Sequence, residues 1–144
     1  MKALKDKFFI DTNILVYSFD STNLNKKEAA QDLINKALSS GQGSISFQVV
    51  QEFLNVAVRK FQTPLKTTDA QIYLGIVLRP LCKVYSSISL YNNALEISDR
   101  YKYSFYDSLI ISAGLESKSR YLFSEDLQHS QKIEGLEIVN PFKN

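Results

Sequence analysis

A single cysteine, Cys82, stands in a chain of 144 residues. No internal disulfide can form, which fits a reducing compartment. Long apolar runs are also missing. The segment Met1-Lys2-Ala3-Leu4-Lys5-Asp6-Lys7 carries the charge of a signal's first part, but the apolar run after it is broken at Asp11 and Asn13. No signal or membrane segment is expected, and the expected location is cytoplasmic. No linker, repeat or low-complexity stretch divides the chain, so residues 1–144 read as one domain. There is one histidine and no Ser-His-Asp or Cys-His set for nucleophilic catalysis, and no glycine-rich phosphate loop. Excess charge is absent as well: a net +2 is too small by itself to argue for a nucleic-acid partner.

What is present is ordinary globular material, 44% apolar and 22% charged, enough for one substantial core. Phe8-Phe9-Ile10 reads as a short buried strand, followed by a helix from Asn13 to about Phe19. Lys26–Ser40 is helical by period and is stopped by Gly41-Gln42-Gly43. Ser44-Ile45-Ser46 is a strand, and Gln48–Lys60 a helix ended by Thr63-Pro64. Thr68–Leu78 is a further helix that Arg79-Pro80 is expected to break. Cys82–Tyr85 is a strand, and Ser89–Lys102 and Ser104–Ser117 are helices, the second apolar around most of its circumference and so expected to be central. Tyr121-Leu122-Phe123 and Leu136–Val139 close the chain as strands. Strands alternating with helices predict a three-layer α/β/α sandwich around a parallel sheet of about five strands.

Four acids stand in unusual places. Asp11 follows the first strand, at the sheet end where open α/β folds place their ligands, and Thr12 and Asn13 after it favour a helix N-terminus. Glu52 lies about 40° from Val56 and about 60° from Val49 on its helix, bordering the buried stripe. Asp107 sits inside a mostly apolar helix, and Asp126 repeats the strand-then-acid arrangement after Tyr121-Leu122-Phe123. Each has a simpler role open to it: Asp11 as a helix cap, Glu52 paired with Arg59 or another base, Asp107 as an acid favoured by the helix dipole, Asp126 as a loop acid. Together, they point to a shared pocket. Carboxylates brought together are desolvated and repel one another, and a hard cation offsets that cost. Mg²⁺ prefers few carboxylates, several waters and phosphate oxygens, which suits phosphodiester hydrolysis.

At these residues the chain resembles the PIN domain family, and within it the VapC-like toxin ribonucleases. The matching stretches are Phe9-Ile10-Asp11-Thr12-Asn13-Ile14-Leu15-Val16-Tyr17, Gln51-Glu52-Phe53, Tyr106-Asp107-Ser108-Leu109-Ile110 and Leu122-Phe123-Ser124-Glu125-Asp126-Leu127, with Asn140-Pro141-Phe142 at the end. The resemblance implies that Asp11, Glu52, Asp107 and Asp126 form an acidic quartet binding Mg²⁺ or Mn²⁺, with Asn13 and Ser124 as supporting polar residues. It further implies a five-stranded parallel sheet, cleavage of single-stranded RNA, a homodimer, and a cognate antitoxin laid across the active-site groove. Ser124 stands where Thr is commoner in that family, and Glu125 is an extra acid whose contact with metal is open.

The remaining polar and aromatic residues have simpler readings. His129, three residues after Asp126, reads as solvent-facing or capping rather than as a general base. Tyr103, Phe105 and Tyr106 read as core or dimer contacts, with base stacking as the alternative. Lys26, Lys27, Lys60, Lys66, Arg100 and Lys102 read as solvated surface, with electrostatic steering of RNA as the alternative. A non-catalytic PIN-like module that binds RNA or a partner is the rival function. A phosphoryl-accepting α/β domain is a third, disfavoured because Asn13 stands where a double-Asp phosphatase wants an acid.

Overall fold

The computed structural model describes residues 5–143, so Met1–Leu4 of the predicted N-terminal segment lie outside the described residues. A six-stranded sheet in the order β3-β2-β1-β4-β6-β5 forms the centre. Its strands are β1 (Phe8–Ile10), β2 (Gly43–Ser46), β3 (Cys82–Val84), β4 (Tyr121–Phe123), β5 (Lys132–Ile133) and β6 (Leu136–Val139). The five predicted strands are all present and run parallel, and β5 adds a two-residue antiparallel edge to β6. Glu134 and Gly135 join β5 to β6 with φ of 49° and 88°. Two consecutive positive φ values are what a tight two-residue hairpin needs.

The helices are α1 (Thr12–Tyr17), α2 (Leu24–Ser40), α3 (Phe47–Arg59), α4 (Thr67–Tyr73), α5 (Arg79–Leu81), α6 (Ile88–Tyr101) and α7 (Phe105–Glu116). The predicted break at Arg79-Pro80 does not occur. A wide helical turn, Leu74–Leu78, follows α4 directly and runs into α5, where Pro80 sits in the first turn. The Arg79 N–H bonds back to the Leu74 carbonyl, a five-residue step. This register shift starts a new turn at the proline, where a missing N–H costs little.

Two glycines show which helix covers which face. A Cβ on Gly43 would come within 2.2 Å of the Ala37 Cβ and 3.2 Å of the Phe8 ring. One on Gly114 would meet Leu136 at 3.1 Å and the Phe9 Cβ at 3.8 Å. Successive strand residues point to opposite faces, so Phe8 packs toward α2 and Phe9 toward α7. The β1 side chains are wholly buried between these layers, and α7 is buried from Ser108 to Gly114, as its all-round apolarity predicts. Among the described residues no helix is long and apolar enough to cross a membrane.

Strand order reverses between β1 and β4, which are hydrogen-bonded neighbours although far apart in sequence. A reversal of this kind opens a crevice at the carboxyl ends of the two strands. Asp11 and Ser124-Glu125-Asp126 leave the sheet there.

Candidate functional site

Asp11 caps α1 from extended backbone and is buried. Its Oδ1 accepts from the Thr12 N–H at 2.7 Å, and its Oδ2 accepts from the Ser124 hydroxyl at 2.8 Å. The helix cap is thus Asp11 rather than the residues after it. Ser124 is fully buried, and its Oγ also accepts from the Asp126 N–H at 3.2 Å. Asn13 ties the same strand ends from the other side: Nδ2 donates to Asp126 Oδ2 at 3.0 Å, and Oδ1 accepts from the Glu125 N–H at 3.3 Å. One hydroxyl and one amide thus lock the β4 loop against the start of α1.

Glu52, half-buried on α3, accepts from the Thr12 hydroxyl at 2.6 Å and from Gln48 Nε2 at 3.1 Å. No base pairs with it among the described residues, where the ion pairs are Lys26–Glu125 and Asp6–Arg120. Asp107 is the third residue of α7, and its N–H donates to the Ser104 hydroxyl at 3.1 Å, the geometry of a helix-start acid. It lies next to Tyr106, whose carbonyl accepts from Gln48 Nε2 at 3.3 Å, so Gln48 links the start of α7 to Glu52.

Electrostatics set Asp11 apart. Burial, augmented by Glu52 and Asp126, pushes its pKa from 3.8 up to about 7, although the Ser124 and Thr12 hydrogen bonds pull it down. Asp11 therefore feels the charge of both Glu52 and Asp126. Among the described residues no three His, Cys, Asp or Glu side chains converge as a ready-made metal cage. Repulsion between uncompensated carboxylates favours such a spread, and Mg²⁺ needs only one or two carboxylates beside waters and phosphate. A buried carboxylate beside two acids with no cation to balance it is a donor set that fits a hard divalent ion.

The PIN domain family model matches residues 8–134, a span that holds all four acids. The chain belongs to the PIN domain family. Among solved structures it is similar to a toxin–antitoxin complex from Klebsiella pneumoniae, 19% identical over 94% of this chain and 98% of that one, with a TM-score of 0.66. It is also similar to VapC20 of Mycobacterium tuberculosis, a sarcin–ricin loop cleaving toxin, at 18% identity over 83% and 92% with a TM-score of 0.57. At these identities the likeness is one of fold. No curated protein matches the sequence significantly.

In this PIN domain Glu125 has its own partners. Its carboxylate accepts from the Tyr17 hydroxyl at 2.5 Å and pairs with the Lys26 ammonium, which lies 4.7 Å from the Tyr17 ring centroid and 5.4 Å from that of Phe142. Partial burial works against its ionisation, but the Lys26 and Tyr17 hydrogen bonds outweigh it and hold the carboxyl below its usual value. Lys26 is thus a structural partner rather than a free surface charge. His129 is exposed, and its Nδ1 accepts from the Asn140 N–H at 2.9 Å, a capping arrangement. The residues that sequence reasoning missed are Thr12, Gln48 and Tyr17. Only Gln48 left a trace, its four-residue spacing from Glu52 on one helix face.

Proposed function

We propose that this PIN domain, working as a single nuclease domain, is a divalent-metal-dependent endoribonuclease that hydrolyses phosphodiester bonds of single-stranded RNA. In this reading it is the toxin of a toxin–antitoxin pair, acts as a homodimer, and is neutralised by a cognate antitoxin protein. The observation that carries the reading is Asp11: a buried carboxylate at the strand-order reversal, flanked by acids and paired with no base among the described residues. The similarity to a toxin–antitoxin complex and to a sarcin–ricin loop cleaving toxin supports the RNA and antitoxin parts.

Asp11, Glu52, Asp107 and Asp126 would hold Mg²⁺ or Mn²⁺. Such an ion activates water and stabilises charge on the phosphorane and the leaving oxygen. The chain's own part is to hold Asp11 and Asp126 at the strand ends and Glu52 and Asp107 on the helices beside them. Ser124 fixes Oδ2 of Asp11, Asn13 fixes Asp126, and Thr12 with Gln48 fixes Glu52. Rigid support of this kind is what keeps a site in productive geometry. The rival reading, a PIN-like module that binds RNA or a partner without cutting it, is favoured by the lack of three converging acids among the described residues and by the helix-start role of Asp107.

One experiment decides between them. Purified Asp11→Asn is expected to lose cleavage of single-stranded RNA by roughly a hundredfold or more, the loss of several kcal/mol of transition-state stabilisation. Chelation of the wild type should do the same, with Mg²⁺ or Mn²⁺ restoring activity. Unchanged cleavage by the variant overturns the catalytic assignment.

A further inference from the structure

A second cleft, of about 110 Å³, opens beside Glu52 at the carboxyl ends of β2 and β3. Its lining is largely aromatic, with Phe47, Tyr85, Tyr91 and Tyr106 beside Gln48 and Gln51. No charged side chain lines it. Tyr106 is 67% exposed and Tyr85 60% exposed, unusual for rings that have an apolar sheet to pack against. Phe47 packs against Tyr85 with ring centroids 5.9 Å apart and planes tilted by 43°, so these two wall rings support each other.

Gln48 belongs to both places. Its Nε2 donates to Glu52 Oε2 and to the Tyr106 carbonyl, which joins the aromatic wall to one acid of the candidate site. Among the described residues its Oε1 and the whole Gln51 amide carry no hydrogen bond, so an acceptor and a further amide face the cleft unused. Aromatic faces with amide edges and no charge suit a neutral, planar, hydrogen-bonding group. They do not suit a phosphate or an acidic peptide. Single-stranded RNA is recognised by splaying a base onto an aromatic ring and reading its edge.

We propose that this cleft is a nucleobase subsite, in which Tyr106 and Tyr85 stack an unpaired base next to the scissile phosphate and Gln48 and Gln51 read its edge. The inference rests on the nuclease reading for its substrate class, but its test needs no cleavage. Fluorescein-labelled single-stranded homopolymeric RNAs are titrated against the chelated wild type, Tyr106→Ala, Tyr85→Ala and Tyr106→Phe, followed by anisotropy. The two alanine variants are expected to bind about tenfold more weakly, the range for loss of one base–aromatic stack. Tyr106→Phe keeps the ring and should bind as wild type. An oligonucleotide abasic throughout should bind the wild type and Tyr106→Ala equally, because the stacked group is gone.

Wild-type affinity in both alanine variants overturns the subsite. So does an equal loss on intact and abasic RNA, which would mean a general fold defect. A change of mass by light scattering with RNA affinity unaltered also overturns it, by making the cleft an interface between protein copies. The two readings fail separately: wild-type protein that cuts no RNA with Mg²⁺ or Mn²⁺ present removes the nuclease, whereas unaltered RNA binding by both alanine variants removes the base subsite alone.

Discussion

Asp11 and Glu125 belong to the same corner of the fold, yet their surroundings drive them in opposite directions. Glu125 meets Lys26 and Tyr17, and its carboxyl is held below its ordinary value even though partial burial opposes this. Asp11 is buried with two acids for company, and its pKa rises to about 7. The Glu125 cluster is complete as it stands: charge balanced, hydrogen bonds made, rings of Tyr17 and Phe142 packed edge to face at 5.1 Å. The Asp11 cluster has polar donors but, among the described residues, no counter-charge. Lys26 is committed to Glu125, so it does not offset the charge at Asp11, and an uncompensated buried acid of this kind is what the proposed cation would balance.

The largest expected difference is in catalysis. Glu125→Gln keeps the shape of the side chain and one of its two acceptors, and should change RNA cleavage only about threefold or less, against roughly a hundredfold or more for Asp11→Asn. Equal losses would break the contrast and put Glu125 among the catalytic groups.

Stability is expected to move in opposite directions as well. In the folded chain Asp11 keeps its proton up to about pH 7, whereas in the unfolded chain it loses it near 3.8. Between those values the folded state binds the extra proton, so each step up in pH costs stability, and the loss is complete above about pH 7. Asp11→Asn removes that loss. In chelator at pH 8 it should therefore unfold at higher denaturant than wild type, by roughly 2–4 kcal/mol, and its stability should be flatter between pH 4 and 7. Added Mg²⁺ should stabilise wild type and leave the variant nearly unmoved. Lys26→Ala should instead lose stability, because it leaves the Glu125 carboxylate without its counter-charge. Destabilisation of chelated Asp11→Asn would show that the carboxylate is a structural part rather than a strained one.

Most of the architecture was legible because it depends on local patterning. Phe8-Phe9-Ile10 can only be a buried strand, and Gly41 takes the left-handed φ of 70° that ends α2. Asp11 was legible because the strand-to-helix step places it at the sheet mouth whatever the rest of the chain does. Pro80 misled because the rule for helix breaking assumes one register, and the wide turn before it supplies another. The antiparallel edge strand was missed because two residues carry no period, although the Glu134-Gly135 turn was there to see. The support of Glu52 by Thr12 was beyond reach: residues forty apart in sequence meet only once β1 and β2 pair. The same limit applies to Tyr17 and Lys26, whose capture of Glu125 depends on α1, α2 and the β4 loop meeting at one corner.

The smallest expected effect lies within the Asp11 cluster itself, at Ser124. Its hydroxyl donates to Asp11 Oδ2 and is one of two hydrogen bonds that hold the Asp11 pKa down against burial. Ser124→Ala removes the donor and should move the pH midpoint of cleavage upward by about one unit or less, since a net hydrogen bond is worth about 1 kcal/mol. Ser124→Thr keeps the hydroxyl and should leave the midpoint in place. It does so at a different cost, because Ser124 is fully buried and an added methyl there must displace its neighbours, at about 1–3 kcal/mol of stability. The two variants thus separate proton affinity from packing. A midpoint that moves with the methyl and not with the hydroxyl would show that crowding, not hydrogen bonding, sets the charge state of Asp11.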